Sequence, residues 1–182
     1  MYFIKTVTNF LTSVECDTII NNFNNSDLKQ AEIGSNLIGE DLKRIRDSEI
    51  LFIEIDWLRD KLELFLRNEI KIKGYELDTI ESFQFTKYGL GGHYGWHTDA
   101  GKGFEQRFCS VVIQLNDDYT GGELLYKNID DEVITFEQGN GNMFIFNSNI
   151  EHKVNPINTG IRYSIVTWIK LRQIKEFKKT LL

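Results

Sequence analysis

The sequence predicts an α+β chain that is mainly β: a double-stranded β-helix of the jelly-roll, cupin-like kind, with packing helices on its N-terminal side. Two observations predict it. From Tyr75 onward, short segments of period-two alternation recur between Gly and Asn turns, whereas before Tyr75 the apolar residues fall at helical spacing. A length of 182 residues, 41% hydrophobic and 26% charged, suits one globular domain with a sizeable core. The expected organisation is a single domain over 1–182, with a helical support region at 1–74, a jelly-roll core at 75–171 and a C-terminal tail helix at 172–182.

Tyr2 to Val7 reads as an opening strand. Thr12 and Glu15 form a capping box ahead of a helix whose inward stripe is Cys16, Ile19, Ile20 and Phe23. The polar, Asn-rich stretch Asn21 to Arg46 shows little periodicity and reads as a long loop, either locally disordered or part of a substrate-binding surface. Leu51, Ile55, Leu58, Leu62, Phe65 and Leu66 mark an amphipathic helix from about Glu49 to Ile70. Eight strands follow: Thr79 to Tyr88, Tyr94 to Asp99, Arg107 to Leu115, Glu123 to Tyr126, Glu132 to Phe136, Asn142 to Phe146, His152 to Asn155 and Arg162 to Leu171. That number suits a jelly roll, whose strands bring distant residues together around one mouth. Arg172, Lys175, Lys178 and Lys179, with Ile174, Phe177 and Leu181 between them, read as the solvated face and apolar stripe of the terminal helix.

Residues two apart in an extended strand share a face, so His97 and Asp99 can present an imidazole and a carboxylate side by side. With His152 they make two imidazoles and one carboxylate, the ligand set of non-haem Fe(II) oxygenases, which leaves three metal positions open. Zinc fits less well, because neither a Cys-rich shell nor His-Glu-x-x-His occurs. His-x-Asp alone also fits a hydrogen-bonded structural histidine. The chain has only 3 His, however, and two of them bracket one strand-rich region. Around the pair, Leu90 to Gly95 and Ala100 to Gln106 are loops able to close over a substrate, or simple turns, and His93, Tyr94, Trp96 and Arg107 are the candidate substrate-side residues.

Arg162 lies in a segment whose alternation reads as a strand buried on both faces. A buried Arg requires a partner, either an internal acid, water reached from a strand end, or a ligand carboxylate gripped by two parallel charge-assisted bonds, with Ser164 on the same face adding a hydroxyl. Trp168, further along that face, reads as core.

These residues carry a resemblance. The order His97-x-Asp99, His152, Arg162-x-Ser164 resembles the Fe(II)- and 2-oxoglutarate-dependent oxygenase superfamily, most like its prolyl 4-hydroxylase branch, over roughly residues 75 to 171. Tyr88, Gly89, Gly92 and Tyr94 resemble the lead into that branch's first metal ligand; Gly121, Gly122 and Glu123 resemble its Gly-Gly-Glu turn; His152, Val154, Pro156, Gly160, Arg162, Tyr163 and Trp168 resemble its closing signature. The resemblance implies Fe(II) held by His97, Asp99 and His152, and 2-oxoglutarate with its C5 carboxylate on Arg162, helped by Ser164 and Tyr88. It also implies dioxygen as co-substrate, ascorbate as reductant, and no catalytic residue beyond the metal ligands. Where relatives often carry Tyr or Thr against the 2-oxoglutarate tail, this chain offers Gln114. The implied reaction couples decarboxylation of 2-oxoglutarate to succinate with hydroxylation of a substrate C–H, in a prolyl or other amino-acid side chain of a peptide, protein or free amino acid. The rival readings are a noncatalytic, metal-retaining jelly-roll binding module and a nucleic-acid demethylase of the same superfamily.

A net charge of -6 argues against nucleic-acid binding, which rests on phosphate neutralisation. No segment has the run of an export signal or a membrane span, so a cytoplasmic protein is expected. Cys16 and Cys109 sit among apolar neighbours and read as buried free thiols, not a disulfide.

Overall fold

A computed structural model describes residues 3–33, 39–101 and 103–174. The N-terminal half holds β1 (Ile4–Val7), α1 (Ser13–Phe23), β2 (Lys29–Gln30), α2 (Gly39–Lys43), β3 (Arg46–Asp47), β4 (Glu49–Ile53) and α3 (Asp56–Glu69). Then come β5 (Tyr75–Ile80), β6 (Phe83–Tyr88), β7 (His93–His97), β8 (Arg107–Gln114), β9 (Thr120–Gly121), β10 (Leu124–Lys127), β11 (Val133–Thr135), β12 (Met143–Asn147), β13 (His152–Val154), β14 (Ile157–Thr159) and β15 (Arg162–Gln173). The major sheet runs β1-β12-β8-β15-β6-β4-β2, with β5 also pairing β15; the minor sheet runs β11-β10-β13-β7-β3; β14 and β9 form a short ribbon. This is the double-stranded β-helix that the strand count implies.

Alternation along β8 and β15 assigns each face of the major sheet a task. Cys109, Val111, Ile113, Ile165 and Ile169 point to one side and join Cys16, Ile19, Leu58, Leu62 and Leu66 in a core beneath the helices. The opposite side meets the minor sheet, where Val112, Phe144 and Phe146 pack with Leu124, Phe136 and Val154. Phe136 lies tilted against Phe144 with ring centroids 4.7 Å apart and Phe146 meets His152 edge to face at 4.7 Å, so aromatic contacts join the two sheets. The i, i+4, i+8 spacing of Leu58, Leu62 and Leu66 puts one stripe of α3 on the sheet, and burial of each stabilises by about 1.5–3 kcal/mol. Thr12 caps α1 as expected: its hydroxyl accepts from the Glu15 amide while the Glu15 carboxylate accepts from the Thr12 amide.

Several expectations need correction. Glu49 to Ile70 is not one helix, because Glu49–Ile53 pairs with β6 as a strand and the helix starts only at Asp56. Thr79 to Tyr88 is two strands, broken between Ile80 and Phe83. The stretch from Asn21 to Arg46 is not all loop: α1 continues to Phe23, and β2 and α2 are embedded in it, while residues 34–38 lie outside the described residues. The support region at 1–74 is therefore part sheet as well as helix. Arg172 belongs to β15, ion-paired to Glu76, and the remainder of the expected tail helix, 175–182, lies outside the described residues.

Candidate metal centre and co-substrate pocket

Strand β7 ends on His97, and β13 begins on His152 directly opposite it. Both imidazoles therefore face the interior, with ring centroids 4.1 Å apart. Each is fixed by a carbonyl two residues earlier: His97 Nδ1 lies 2.9 Å from the Gly95 oxygen and His152 Nδ1 2.9 Å from the Ile150 oxygen. With Nδ1–H donating there, each ring turns a bare Nε2 inward. Asp99 lies just past β7, its amide donating to the Ser148 carbonyl at 2.8 Å. Its carboxylate reaches both rings, Oδ1 at 3.6 Å from His97 Nε2 and Oδ2 at 3.5 Å from His152 Nε2. Ligand atoms of the three residues lie within 4.8 Å of one another.

The electrostatics suit a metal. Burial, then the neighbouring His152, pushes the His97 imidazole down to about 3, so it is neutral near pH 7 and able to bind a cation. Burial pushes the Asp99 carboxyl up, but His152, His97, a 2.6 Å hydrogen bond from Ser110 Oγ and the nearby Trp168 indole together hold it below the usual aspartate range. Ser148 Oγ, 3.0 Å from Ser110 Oγ, extends that support. Neither serine stands out in the sequence; Ser110 is a polar position within the apolar middle of its strand, which is the signal it offers.

Arg162 is 1% exposed. One terminal nitrogen donates to Ser164 Oγ at 3.0 Å, its guanidinium carbon lies 5.3 Å from the Tyr88 ring, and Nε has no acceptor. No acid pairs with it among the described residues. An internal acid partner is thereby excluded among those residues, and the guanidinium suits an incoming carboxylate. Gln114 takes a different part from the one expected. Its side-chain amide donates to the Asn116 carbonyl at 3.0 Å and the Tyr119 hydroxyl at 2.7 Å, so it positions Tyr119 instead of offering those hydrogens to the pocket. Burial pushes the Tyr119 phenol up, against the pull of the adjacent Arg162 cation. Tyr119 was not legible because it sits in a loop outside any strand pattern. Gly122, with φ +65, leaves space for the arginine: a Cβ there would lie 2.3 Å from Ile157 Cδ1 and 3.2 Å from Arg162 Cδ.

The substrate-side candidates separate. A register shift between β7 and β13 sets the two residues Gly95 and Trp96 against the one residue Lys153, and this turns Tyr94 to the same side as His97, where the rings stack at 3.5 Å. His93 has both ring nitrogens near backbone carbonyls, of Gly91 and Arg44, and is tied to the loop. Trp96 faces away from the cluster, 37% exposed, with Lys127 and Lys153 each 5.2 Å from its ring. Arg107 is held by Glu81 at 2.7 Å and stacked 3.7 Å from the Trp168 ring, beside the Asp99 carbonyl.

Residues 83–170, which include His97, Asp99, His152 and Arg162, match the family model of the 2OG-Fe(II) oxygenase superfamily. That stretch of the chain is similar to that superfamily. The chain is similar to the PKHD-type hydroxylase of Rippkaea orientalis, 31% identical over 97 residues that make up 50% of this chain and 43% of the relative. It is also similar to the PKHD-type hydroxylase of Prochlorococcus marinus strain MIT 9301, 31% identical over 103 residues, 54% of this chain and 46% of the relative. The chain thus spans less than half the length of these two relatives. Among solved structures, a prolyl hydroxylase from Trichoplax adhaerens, in complex with a hypoxia inducible factor oxygen degradation domain peptide fragment, superposes with a TM-score of 0.78 at 21% identity, covering 92% of this chain and 83% of that one. A Pseudomonas putida prolyl-4-hydroxylase gives a TM-score of 0.76 at 20% identity, covering 93% and 94%. At these identities the structural likeness is one of fold. Oxygenases of this superfamily take Fe(II) and 2-oxoglutarate, and the donor set and the acid-free arginine fit both.

Proposed function

We propose that this chain is an Fe(II)- and 2-oxoglutarate-dependent dioxygenase that hydroxylates a substrate C–H, with a prolyl or other amino-acid side chain in a peptide or protein as the first candidate. The observation that carries the reading is Arg162, a buried cation with an orphaned Nε and no acid partner among the described residues, opening on the same interior as the two-His, one-Asp cluster. His97, Asp99 and His152 would hold Fe(II) through two Nε2 atoms and a carboxylate oxygen. Arg162, Ser164 and Tyr119 would grip the C5 carboxylate of 2-oxoglutarate, and Tyr88 would wall its chain. When bound, metal and co-substrate supply the oxidative chemistry that couples release of succinate and carbon dioxide to hydroxylation.

The residues of the chain do the rest. Ser110 and Ser148 keep Asp99 oriented and anionic; the carbonyls of Gly95 and Ile150 set the imidazole tautomers; the aromatic layer of Phe136, Phe144 and Phe146 keeps water from the His152 side. The names of the relatives and structural neighbours support a hydroxylase and a peptide or protein substrate. Two buried free thiols support a reducing, cytoplasmic compartment, and among the described residues no helix is long and apolar enough to cross a membrane. The test is succinate formation with Fe(II), 2-oxoglutarate, ascorbate and air, with and without proline-containing peptides. Release above an Arg162→Ala control supports the reading. Absence of both succinate and metal-dependent 2-oxoglutarate binding would overturn it.

A further inference from the structure

A second buried arginine flanks the cluster. Arg46 in β3 pairs with Tyr94 in β7, so both side chains lie on the face that bears His97. Its guanidinium carbon is 4.5 Å from the Tyr94 ring centroid, and that ring stacks on His97. Arg46 is 7% exposed, yet among the described residues its acceptors are neutral: Nε donates to Ser48 Oγ at 3.0 Å and one terminal nitrogen to the Glu32 carbonyl at 3.2 Å. Asp47, next along the strand, points to the opposite face. None of the ion pairs among the described residues includes Arg46, whereas Arg107 has Glu81.

We propose that Arg46 is a second anion anchor in this pocket and that the substrate it recognises carries a carboxylate. The inference rests on the iron and 2-oxoglutarate reading and adds the charge that the substrate must bring. In the loaded pocket, Fe(II), the Asp99 carboxylate, dianionic 2-oxoglutarate and the Arg162 guanidinium sum to neutrality. Arg46 is then one positive charge in excess, nine-tenths buried and one aromatic ring away from a metal ligand. A neutral peptide segment leaves that charge uncompensated; a carboxylate neutralises it and accepts from the terminal nitrogen that has no acceptor among the described residues. The carboxylate can be the α-carboxylate of a free amino acid, the terminus of a peptide, or an Asp or Glu side chain near the reacting residue.

Three probe pairs distinguish these sources on Mn(II)-loaded, 2-oxoglutarate-bound protein: L-proline against prolinamide, a tripeptide ending in proline against its carboxamide, and an internal Asp-Pro peptide against its Asn-Pro counterpart. At least one acid should bind about ten- to a hundredfold more tightly than its neutral partner, the strength of one charge-assisted pair. That preference should collapse in R46Q and persist in part in R46K, while both variants still bind 2-oxoglutarate. Equal response to acid and neutral partner in all three arms, no response included, overturns the inference and leaves the 2-oxoglutarate reading in place. Failure of the wild-type protein to bind 2-oxoglutarate overturns both. Should R46Q not fold, the wild-type comparison and R46K decide.

Discussion

At the scale of single residues, Asp99 depends most on its neighbours, since its carboxylate is buried and is oriented by one 2.6 Å bond from Ser110. Ser110→Ala should weaken metal binding by roughly 10- to 100-fold with little change in fold, because outer partners of a ligand typically carry that much; a Mn(II) titration reads it, and unchanged affinity would mean that the backbone alone orients Asp99. Arg162→Ala leaves a co-substrate carboxylate facing a dry pocket without its cation. A loss of about 2–5 kcal/mol, or roughly one and a half to three and a half decades in 2-oxoglutarate affinity, should follow. Acidity offers a third handle. The folded pKa of His97 lies near 3, below the value of about 6.5 for an unfolded histidine. As pH falls from about 6.5 toward 3, the unfolded chain therefore takes a proton that the folded chain refuses, and the metal-free protein should lose stability across that window. Urea midpoints should drop on acidification more steeply in wild type than in His97→Gln. At this scale the sequence was informative about His97, Asp99, His152 and Arg162, because unusual side chains announce themselves through type and spacing. Ser110, Tyr119 and Arg46 gave no such signal: a serine, a loop tyrosine and one arginine among many acquire meaning only from what the fold places beside them.

At the scale of elements, local rules were legible where the hydrogen bonds are local. The Thr12–Glu15 capping box is written within four residues, and Thr12→Ala should cost about 1 kcal/mol in urea unfolding. The segment from Glu49 to Ile70 was misread for the opposite reason. Leu51 and Ile55 continue the helical spacing of Leu58 and Leu62, but the bonds that decide Glu49–Ile53 run to β6, thirty or more residues away in sequence, and periodicity cannot register them. The Gly121–Gly122 turn links element to site. Gly122→Ala would add strain at a positive φ and press on Ile157 and Arg162, so a loss of about 1–3 kcal/mol in stability should be accompanied by weaker 2-oxoglutarate binding. Stability falling with no change in co-substrate affinity would show that the arginine is positioned by other contacts.

At the scale of the whole molecule, the first 74 residues are part of both sheets: β1 completes one edge of the major sheet, β4 covers β6, and β3 pairs with β7 beside the metal cluster. The matched family region begins only at residue 83. A fragment starting at Tyr75 would nevertheless lose Leu58, Leu62 and Leu66 from the core, and it should show no cooperative thermal transition by circular dichroism. Burial pushes both the Cys16 and Cys109 thiols up to about 12, so neither should react with a thiol reagent until the protein unfolds. Class and strand count could be read from composition and alternation; the order of strands could not, since β1 beside β12 and β4 beside β6 are pairings across long stretches of chain. The imidazole tautomers, by contrast, answer to nothing remote. Each is dictated by a carbonyl two residues upstream, Gly95 within β7 and Ile150 in the turn leading into β13, so the chemistry of the centre is inherited with two short peptide segments. Mouth loops can be exchanged wholesale, and the protein redirected to new substrates, without retuning the histidines.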